Sequence, residues 1–254
     1  MSSKILSAAV IGLEAELIEV EADTSSGPLG FFSIVGLPDT AVSESRERVR
    51  SAIKNSGLKF PKVKVTVNLA PADLRKQGPS YDLPIAISIL KATNRIVVKQ
   101  ELSECLFVGE LALDGQLRPV NGILSIALMA QKKKIKTLFV PVKNAGEANL
   151  VKGLDVFAIN NLTELVEHLE GKKILKTAAP CEFDFSNVEI LFDMAHIKGQ
   201  EHVKRAMEIA AAGAHNMLMS GPPGSGKTLI ARTMPSILPD LTLEEALELT
   251  KIYS

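Results

Sequence analysis

The residues of this chain with the most specific chemistry form a glycine-rich segment, GPPGSGKT, at 221–228. Its spacing, with Gly-Lys-Thr placed after a glycine and four further residues, is that of a phosphate-binding loop. The glycines allow a tight turn whose backbone N–H groups ring a phosphate, and a helix starting near Lys227 would add its positive end. Lys227 would reach the β- and γ-phosphates, and the Thr228 hydroxyl would complete the coordination of Mg²⁺. The motif therefore predicts ATP and Mg²⁺ as ligands. The predicted binding residues are Gly221, Pro222, Pro223, Gly224, Ser225, Gly226, Lys227 and Thr228.

Hydrolysis of ATP needs residues beyond this loop. A P-loop ATPase uses an acidic residue on a neighbouring strand to hold Mg²⁺ and orient water, and usually an arginine finger. The acids that follow Thr228 lie in a turn or in a predicted helix, and none follows an apolar strand; they are Asp240, Glu244, Glu245 and Glu248. The sequence therefore predicts nucleotide binding without a complete hydrolytic site.

A phosphate loop is positioned by a strand before it and a helix after it, and the flanking sequence predicts both. The apolar run NMLMS at 216–220 predicts a short strand, and a helix follows from Lys227. A helix over about 201–212 precedes the strand, and Thr242 is expected to cap a last helix. These elements predict part of an α/β P-loop domain.

The preceding residues are predicted to form a separate α+β domain. KVKVTVNLA at 62–70 alternates, which predicts a strand with one face made of Val63, Val65, Val67 and Leu69. Asp39 is expected to cap a helix that Gly57 ends, and Asp114-Gly115 predicts a hairpin. Further strands are predicted within 5–24, 30–35, 137–141 and 155–159, and helices at 41–55, 82–92, 123–133, 145–152 and 162–169. The predicted boundaries are 1–170 for this domain, 171–190 for a linker and 191–254 for the P-loop domain.

Composition restricts the class of protein. The chain has 254 residues, is 46% hydrophobic and carries 29 basic against 29 acidic residues, which is typical of a globular protein. Zero net charge gives no reason to expect a nucleic-acid or membrane partner. No apolar run approaches a membrane span, and Cys105 and Cys181 lack metal-ligand spacing, which favours a reducing compartment. We therefore predict a cytoplasmic protein with no membrane partner.

The charge is nevertheless uneven along the chain. Residues 43–64 contain seven basic residues against two acids, and Arg46, Arg50 and Lys54 fall four apart, so they share one helix face. That row is a candidate for contacts to DNA phosphates. The alternative is a solvated face in which Glu44 and Arg48 form an i,i+4 pair. A second cluster, Lys132, Lys133, Lys134 and Lys136, is interpreted as an exposed helix end. Aromatic residues make up only 4%, so any DNA contact should be mainly to the backbone.

Several blocks of sequence together resemble one family. The blocks are VGLPDTAVSESRERVRSAIKNSG (35–57), VNLAPADLRKQGPSYDLPIAISIL (67–90), FVGELALDGQLRP (107–119) and KGQEHVKRAMEIAAAGAHNMLMSGPPGSGKT (198–228). They resemble the YifB/ComM family of Mg-chelatase-like AAA+ ATPases of bacteria, and the resemblance covers essentially the whole chain.

This resemblance implies a fold and a function. The fold class is α/β, with an N-terminal α+β domain like that of Lon protease followed by a P-loop AAA+ domain that is cut short after its Walker A loop. Gln200 would lie near the adenine, and the intact protein would form a ring-shaped homo-oligomer. It would be an ATP-driven DNA motor, acting in branch migration during natural transformation and recombination.

The Lon-like domain raises the question of peptidase activity. By resemblance, Gly78-Pro79-Ser80 matches the segment of the nucleophilic serine, and the stretch 109–130 matches the one that carries the activating lysine. The lysine position, four residues after Gly122, is Ile126, which cannot act as a base. Ser80 is therefore interpreted as a vestigial nucleophile that now serves as a helix-start residue, and the domain as catalytically inactive.

Three other functions stay open at this point. A chelatase subunit that drives Mg²⁺ insertion into a tetrapyrrole shares the AAA+ module, although the Lon-like domain before the P-loop argues against it. A Ser-Lys peptidase is disfavoured by Ile126. A non-enzymatic fragment that acts as an interaction or assembly domain is the third.

Overall fold

The computed structural model describes residues 2–27, 30–179 and 191–253. The chain divides into two compact units, one of residues 1–182 with 249–254 and one of residues 183–248. Part of the predicted linker, 180–190, lies outside the described residues, and Cys181 lies there with it. Within the described ranges, no helix is long and apolar enough to cross a membrane.

The first unit is built on a mixed sheet. Its strands are β1 (Ser2–Ile11), β2 (Glu14–Ser25), β3 (Phe32–Val35), β4 (Lys64–Ala70), β5 (Cys105–Phe107), β6 (Glu110–Leu111), β7 (Leu117–Arg118), β8 (Thr137–Pro141) and β9 (Asp155–Ile159). Its helices are α1 (Thr40–Asn55), α2 (Asp82–Ala92), α3 (Ile123–Lys132), α4 (Val142–Ala148) and α5 (Leu162–Leu169). Among the described residues, seven strands pair in the order β3-β4-β2-β1-β5-β8-β9. β2 is antiparallel to β1 and β4, and the other pairs of this sheet are parallel.

Alternation of apolar residues explains the central strands. In β4, Val65, Val67 and Leu69 are fully buried, as the pattern predicts. Val63 was predicted on the same face, but that is wrong: it precedes the strand and is 41% exposed. The hairpin predicted at Asp114-Gly115 is confirmed, since β6 and β7 pair antiparallel on either side of it.

Capping explains where α1 begins and ends. Asp39 Oδ1 accepts a hydrogen bond from the Val42 N–H at 2.8 Å, which confirms the predicted N-cap. The helix ends before Gly57, as predicted, and that residue has a φ of 76°. α4 was predicted at 145–152 but starts earlier, at Val142. It follows Pro141, the last residue of β8, directly, because proline is tolerated at the start of a helix.

Several helices of this unit end in the same backbone motif. After α1, α2, α3 and α5 the chain takes a left-handed residue, and the next N–H bonds back to a carbonyl five residues earlier. The left-handed residues are Gly57, Asn94, Lys134 and Gly171. A side chain other than glycine or asparagine in this conformation costs about 1 kcal/mol, so Lys134 is the strained member of the set.

A buried ion pair joins α1 to α2. Arg48 Nε lies 2.7 Å from Asp82 Oδ2 and its NH2 lies 3.1 Å from Oδ1, a bidentate arrangement. The Asp82 side chain is fully buried and also accepts the Leu111 N–H at 3.2 Å. Burial raises the pKa of Asp82, and the hydrogen bonds from Arg48 oppose that rise.

The second unit is helical where it is described. It contains α6 (Glu201–Ala212) and α7 (Lys227–Arg232), followed by α8 (Leu243–Tyr253), which extends past it. Ile197, Met207 and Ile230 form its small core. The strand predicted at 216–220 is wrong: a strand needs a paired neighbour, and the described residues of this unit form none. Leu218 is accordingly 95% exposed.

We predict that Arg48→Met lowers the free energy of unfolding of the first unit by about 3–5 kcal/mol, because it leaves a carboxylate buried without its partner. The loss should shrink as the pH falls, since the raised pKa of Asp82 lets the folded state take up a proton first. Urea unfolding at several pH values measures both effects.

The matched control for this prediction is Glu44→Gln. It removes the exposed i,i+4 contact of 3.7 Å to the same arginine and should cost less than about 0.5 kcal/mol. Equal losses in the two variants would show that Asp82 does not depend on its arginine.

Limited proteolysis should cut the second unit first. Its core is small, and Ile209 and Leu218 are 53% and 95% exposed, so it opens at a lower free energy than the sheet of the first unit. We expect early tryptic cleavage within 191–248, read by mass spectrometry, with 2–170 intact. Early cleavage inside the sheet would contradict this order of stability.

Candidate functional site

The glycine-rich loop forms a concave turn in the second unit. Gly224 and Gly226 both have a φ of 81°, which favours glycine, and α7 begins immediately after them. A Cβ built on either residue would meet no atom within 4 Å, so the loop borders open space. The turn is held by Ser225, whose hydroxyl donates to the Pro222 carbonyl at 2.9 Å. The loop is thus held in a turn that is open to solvent on its glycine side.

Lys227 folds back over this loop. Its ammonium donates to the carbonyls of Gly221 at 2.8 Å and Pro222 at 2.7 Å and contacts Ser225 Oγ at 3.2 Å. These acceptors are neutral, and a phosphate would offer the same ammonium a charged one, which forms the stronger hydrogen bond. The side chain is therefore already at the loop where an anion would be bound.

A cavity of about 410 Å³ brings the loop together with Gln200. Its walls come from the start of α6, from the segment 217–220 and from the loop itself. The lining residues include Gln200, His202, Val203, Ala206, Met217, Met219, Gly221, Ser225, Lys227 and Ile230. The cavity thus has a polar end at the loop and an apolar end between α6 and the methionines. Sequence reasoning named Gln200 and the loop, but missed Val203 and Ala206, because a helix face of small apolar residues is also typical of a core.

Gln200 is held in place by its backbone. It has a φ of 58° and its carbonyl accepts the N–H groups of Val203 at 2.9 Å and Lys204 at 3.0 Å, so it forms the first turn of α6. Its side chain is exposed at the cavity and free to contact a ligand. An amide in this position can both donate to and accept from a polar group of a ligand in the cavity.

The Mg²⁺ chemistry of the site would rest on Thr228. That residue lies in the first turn of α7 and is exposed. Within the described residues, no group of three or more His, Cys, Asp or Glu side chains could hold a metal ion. A lone hydroxyl fits a Mg²⁺ that is carried mainly by nucleotide phosphates.

One of the acids after the loop, Glu245, forms hydrogen bonds at the start of the last helix. Glu245 Oε2 accepts the Thr242 N–H and hydroxyl, both at 2.8 Å, and Thr242 Oγ1 accepts the Glu245 N–H at 3.3 Å. This capping box confirms the predicted cap at Thr242. The hydrogen bonds from Thr242 lower the pKa of Glu245. Glu245 therefore stabilises a helix start.

The first unit has a cavity of its own, of about 480 Å³, and both peptidase positions line it. Ser80 lies in a short 3-10 turn and Ile126 on α3, where it is 1% exposed. Ser80 thus lies in the turn that leads directly into α2, as expected of a helix-start residue, but its side chain caps neither this turn nor α2. Other lining residues are Val10, Gln77, Gly78, Glu110, Asn121 and Gly122.

Hydrogen bonds from Gly78 and Lys76 hold the loop that carries Ser80. Gly78 N–H donates to Asp39 Oδ2 at 3.2 Å, so one aspartate holds both this loop and the start of α1. Lys76 is fully buried and donates to the carbonyl of Pro71, and burial lowers the pKa of its ammonium. These two contacts hold the backbone of this wall of the cleft.

The predicted DNA row on α1 is not a uniform face. Arg46 and Lys54 are exposed, with Arg46 Nε donating to the Ser43 carbonyl at 3.2 Å. The guanidinium of Arg50 lies over the Phe60 ring, 5.1 Å from its centroid, and donates to the carbonyl of Gly30. Two of the three charges are therefore free to meet a phosphate, and the third is used within the fold.

Comparisons with known proteins cover both units. The family model for subunit ChlI of Mg-chelatase matches residues 20–144, and the model for magnesium chelatase, subunit ChlI, matches residues 193–254. The competence protein ComM of Haemophilus influenzae is 43% identical over 254 residues, which is 98% of this chain and 49% of that protein. The uncharacterized protein YifB of Escherichia coli is 45% identical over 246 residues, covering 97% of this chain and 48% of its own length.

A more distant relative matches the first unit. The Lon protease of Rickettsia typhi is 25% identical over 165 residues, which is 60% of this chain and 20% of that protein. The chain spans about half the length of the curated relatives that it matches over nearly its whole sequence. Its fold is α/β, with a Lon-like first domain followed by a P-loop domain of the AAA+ type. The chain belongs to the YifB/ComM family of Mg-chelatase-like proteins.

Proposed function

We propose that this chain binds ATP with Mg²⁺ and that the intact protein uses ATP hydrolysis to move along DNA. The observation that carries the nucleotide part is the cavity that places Gln200, Lys227 and the glycine-rich loop around one space. The DNA part is supported by similarity to a relative named as a competence protein. A ring-shaped homo-oligomer and a cytoplasmic location belong to the same proposal.

The residues of the chain have distinct tasks in this proposal. Lys227 exchanges the carbonyls of Gly221 and Pro222 for phosphate oxygens, and the released carbonyls become available to water. Backbone N–H groups of the loop hold the phosphates in position. The Thr228 hydroxyl coordinates Mg²⁺, which neutralises phosphate charge when bound. Gln200 orients the base against the wall formed by Val203 and Ala206.

A chelatase subunit is the second candidate function. Both family models that match the chain describe the ChlI subunit of Mg-chelatase, which favours energy-driven metal insertion into a tetrapyrrole. Quenching of porphyrin fluorescence by the protein separates the two candidates, since a DNA motor has no reason to bind a tetrapyrrole. The Lon-like first domain is the feature that places this candidate second.

Nucleotide binding can be tested on this chain directly. We expect a fluorescent ATP analogue with Mg²⁺ to bind, and Lys227→Ala to weaken binding at least about tenfold, because a charge-assisted phosphate contact is lost. Lys204→Ala is the control, since Lys204 lies on α6, outside the cavity, and pairs with Glu201 at 3.2 Å. Equal binding by all three proteins would contradict the site. If the chain acts only as an assembly domain, neither the wild type nor either variant should bind nucleotide.

Peptidase activity should be absent. With Ile126 in the position of the base, the Ser80 hydroxyl has no activation from that side of the cleft. We expect no labelling of this residue by a serine-reactive fluorophosphonate, compared by mass spectrometry with Ser80→Ala. Specific labelling at Ser80 would reinstate the peptidase.

A further inference from the structure

An unpaired cluster of lysines lies at one corner of the first unit. Lys132, Lys133 and Lys134 are consecutive at the end of α3, and all three are exposed. The side chain of Gln131 donates to the carbonyl of Lys152 at 2.6 Å, which brings that exposed lysine alongside them. We call these four residues, Lys132, Lys133, Lys134 and Lys152, the lysine corner.

The lysine corner has no acidic counterpart in the part of the chain that the structure describes. None of its four ammonium groups forms an ion pair with a carboxylate of a described residue. The neighbouring Lys136 differs, since its Nζ lies 2.7 Å from Glu104 Oε2, and that contact raises the pKa of Lys136. The four charges of the corner therefore contribute no ion pair to the described fold, which leaves them available to an anionic partner.

Lys134 occupies a position that the backbone favours for glycine. Its φ is 59°, its N–H donates to the Gln131 carbonyl at 3.0 Å, and the next N–H, of Ile135, donates to the Ala130 carbonyl at 3.0 Å. The equivalent residues after α1, α2 and α5 are Gly57, Asn94 and Gly171. Alanine takes the same conformation at Ala214 in the second unit, but without a charge.

The end of a helix dipole does not account for this lysine. The dipole favours a cation within the last turn, and Lys132 already fills that position. Lys134 lies beyond the helix, strained and without a partner in the described chain. Its side chain is therefore not explained by a contact within the described fold.

We infer that the lysine corner binds the phosphodiester backbone of duplex DNA. The inference deepens the proposed function and rests on it for the identity of the polyanion. Four free ammonium groups outnumber the two free charges of Arg46 and Lys54 on α1, where Arg50 is bonded within the fold. Lysines without interleaved aromatic side chains contact phosphates and do not read bases.

The decisive variant is Lys134→Gly, because it separates binding from folding. Glycine relieves the left-handed backbone, so the melting temperature should rise by about 3 °C. The same change removes one phosphate contact, so the slope of log K against log salt should fall in magnitude by about 0.9. A residue with only a structural role would not move these two readouts in opposite directions.

The full test measures fluorescence anisotropy of a labelled 40-base-pair duplex with the whole chain across a salt series. Lys132→Gln, Lys133→Gln and Lys152→Gln combined should weaken binding at least about tenfold and reduce the slope by about 2–3. Lys136→Gln and Asn94→Gly are the controls, one for a paired lysine and one for the same backbone motif, and neither should change binding.

Three results would overturn the inference. If the wild type binds DNA and the corner variants bind equally well, the contact lies elsewhere and the proposed DNA function survives. If the wild type binds no DNA at low salt, the DNA part of the proposed function fails too, while nucleotide binding stands or falls by its own assay. If poly-glutamate binds with the same lysine dependence and more tightly than DNA, the partner is an acidic protein segment.

Discussion

The first unit depends on satisfying one buried charge. Asp82 has no exposed side-chain surface. Its buried carboxylate is stabilised because Arg48 donates to both oxygens and the Leu111 N–H donates to Oδ2 as well. These bonds connect α1, α2 and β6, which belong to separate parts of the sequence. The 3-10 turn with Ser80 directly precedes Asp82, so the same interaction fixes one wall of the cleft. The ion pair therefore fixes how α1 and α2 lie against each other, in addition to the apolar side chains that both helices bury in the core.

The cleft around Ser80 is likewise held by contacts between residues that are far apart in the sequence. The walls are held by Asp39, which bonds both α1 and Gly78, and by Ser125, whose hydroxyl donates to the Leu13 carbonyl at 2.7 Å. None of these contacts involves the side chain of Ile126, which is buried in the core. The residues that hold the walls of the cleft are therefore distinct from positions 80 and 126, which a Ser-Lys peptidase would use.

The sequence predicted local features well, and features that depend on distant residues poorly. Alternation located β4, and the side chains of Asp39 and Thr242 located helix starts, because each is decided within a few residues. The prediction of a strand at 216–220 was wrong because a strand forms only where a second strand pairs with it, and a local pattern does not show that partner. In the same way, helical spacing alone could not show that Arg50 turns towards Phe60. The Arg48–Asp82 pair joins residues 34 positions apart, and no local pattern indicates it. Of the candidate sites, the glycine-rich loop was predictable because its chemistry is contained in eight consecutive residues.

The availability of a charge to a partner therefore depends on whether it is already paired within the fold, which the sequence alone does not show. Arg48 and Arg50 lie in the most basic stretch of the chain, yet both are bound internally, and Lys227 is bonded to its own loop by neutral carbonyls that an anion can replace. Lys134 is the opposite case, since the backbone around it would favour glycine and no described carboxylate pairs with it. A charge that costs the fold stability and returns none to it is the kind most informative about a partner. In a chain with zero net charge, the positive potential available to an anionic partner is set by this local difference between charges that pair within the fold and charges that do not.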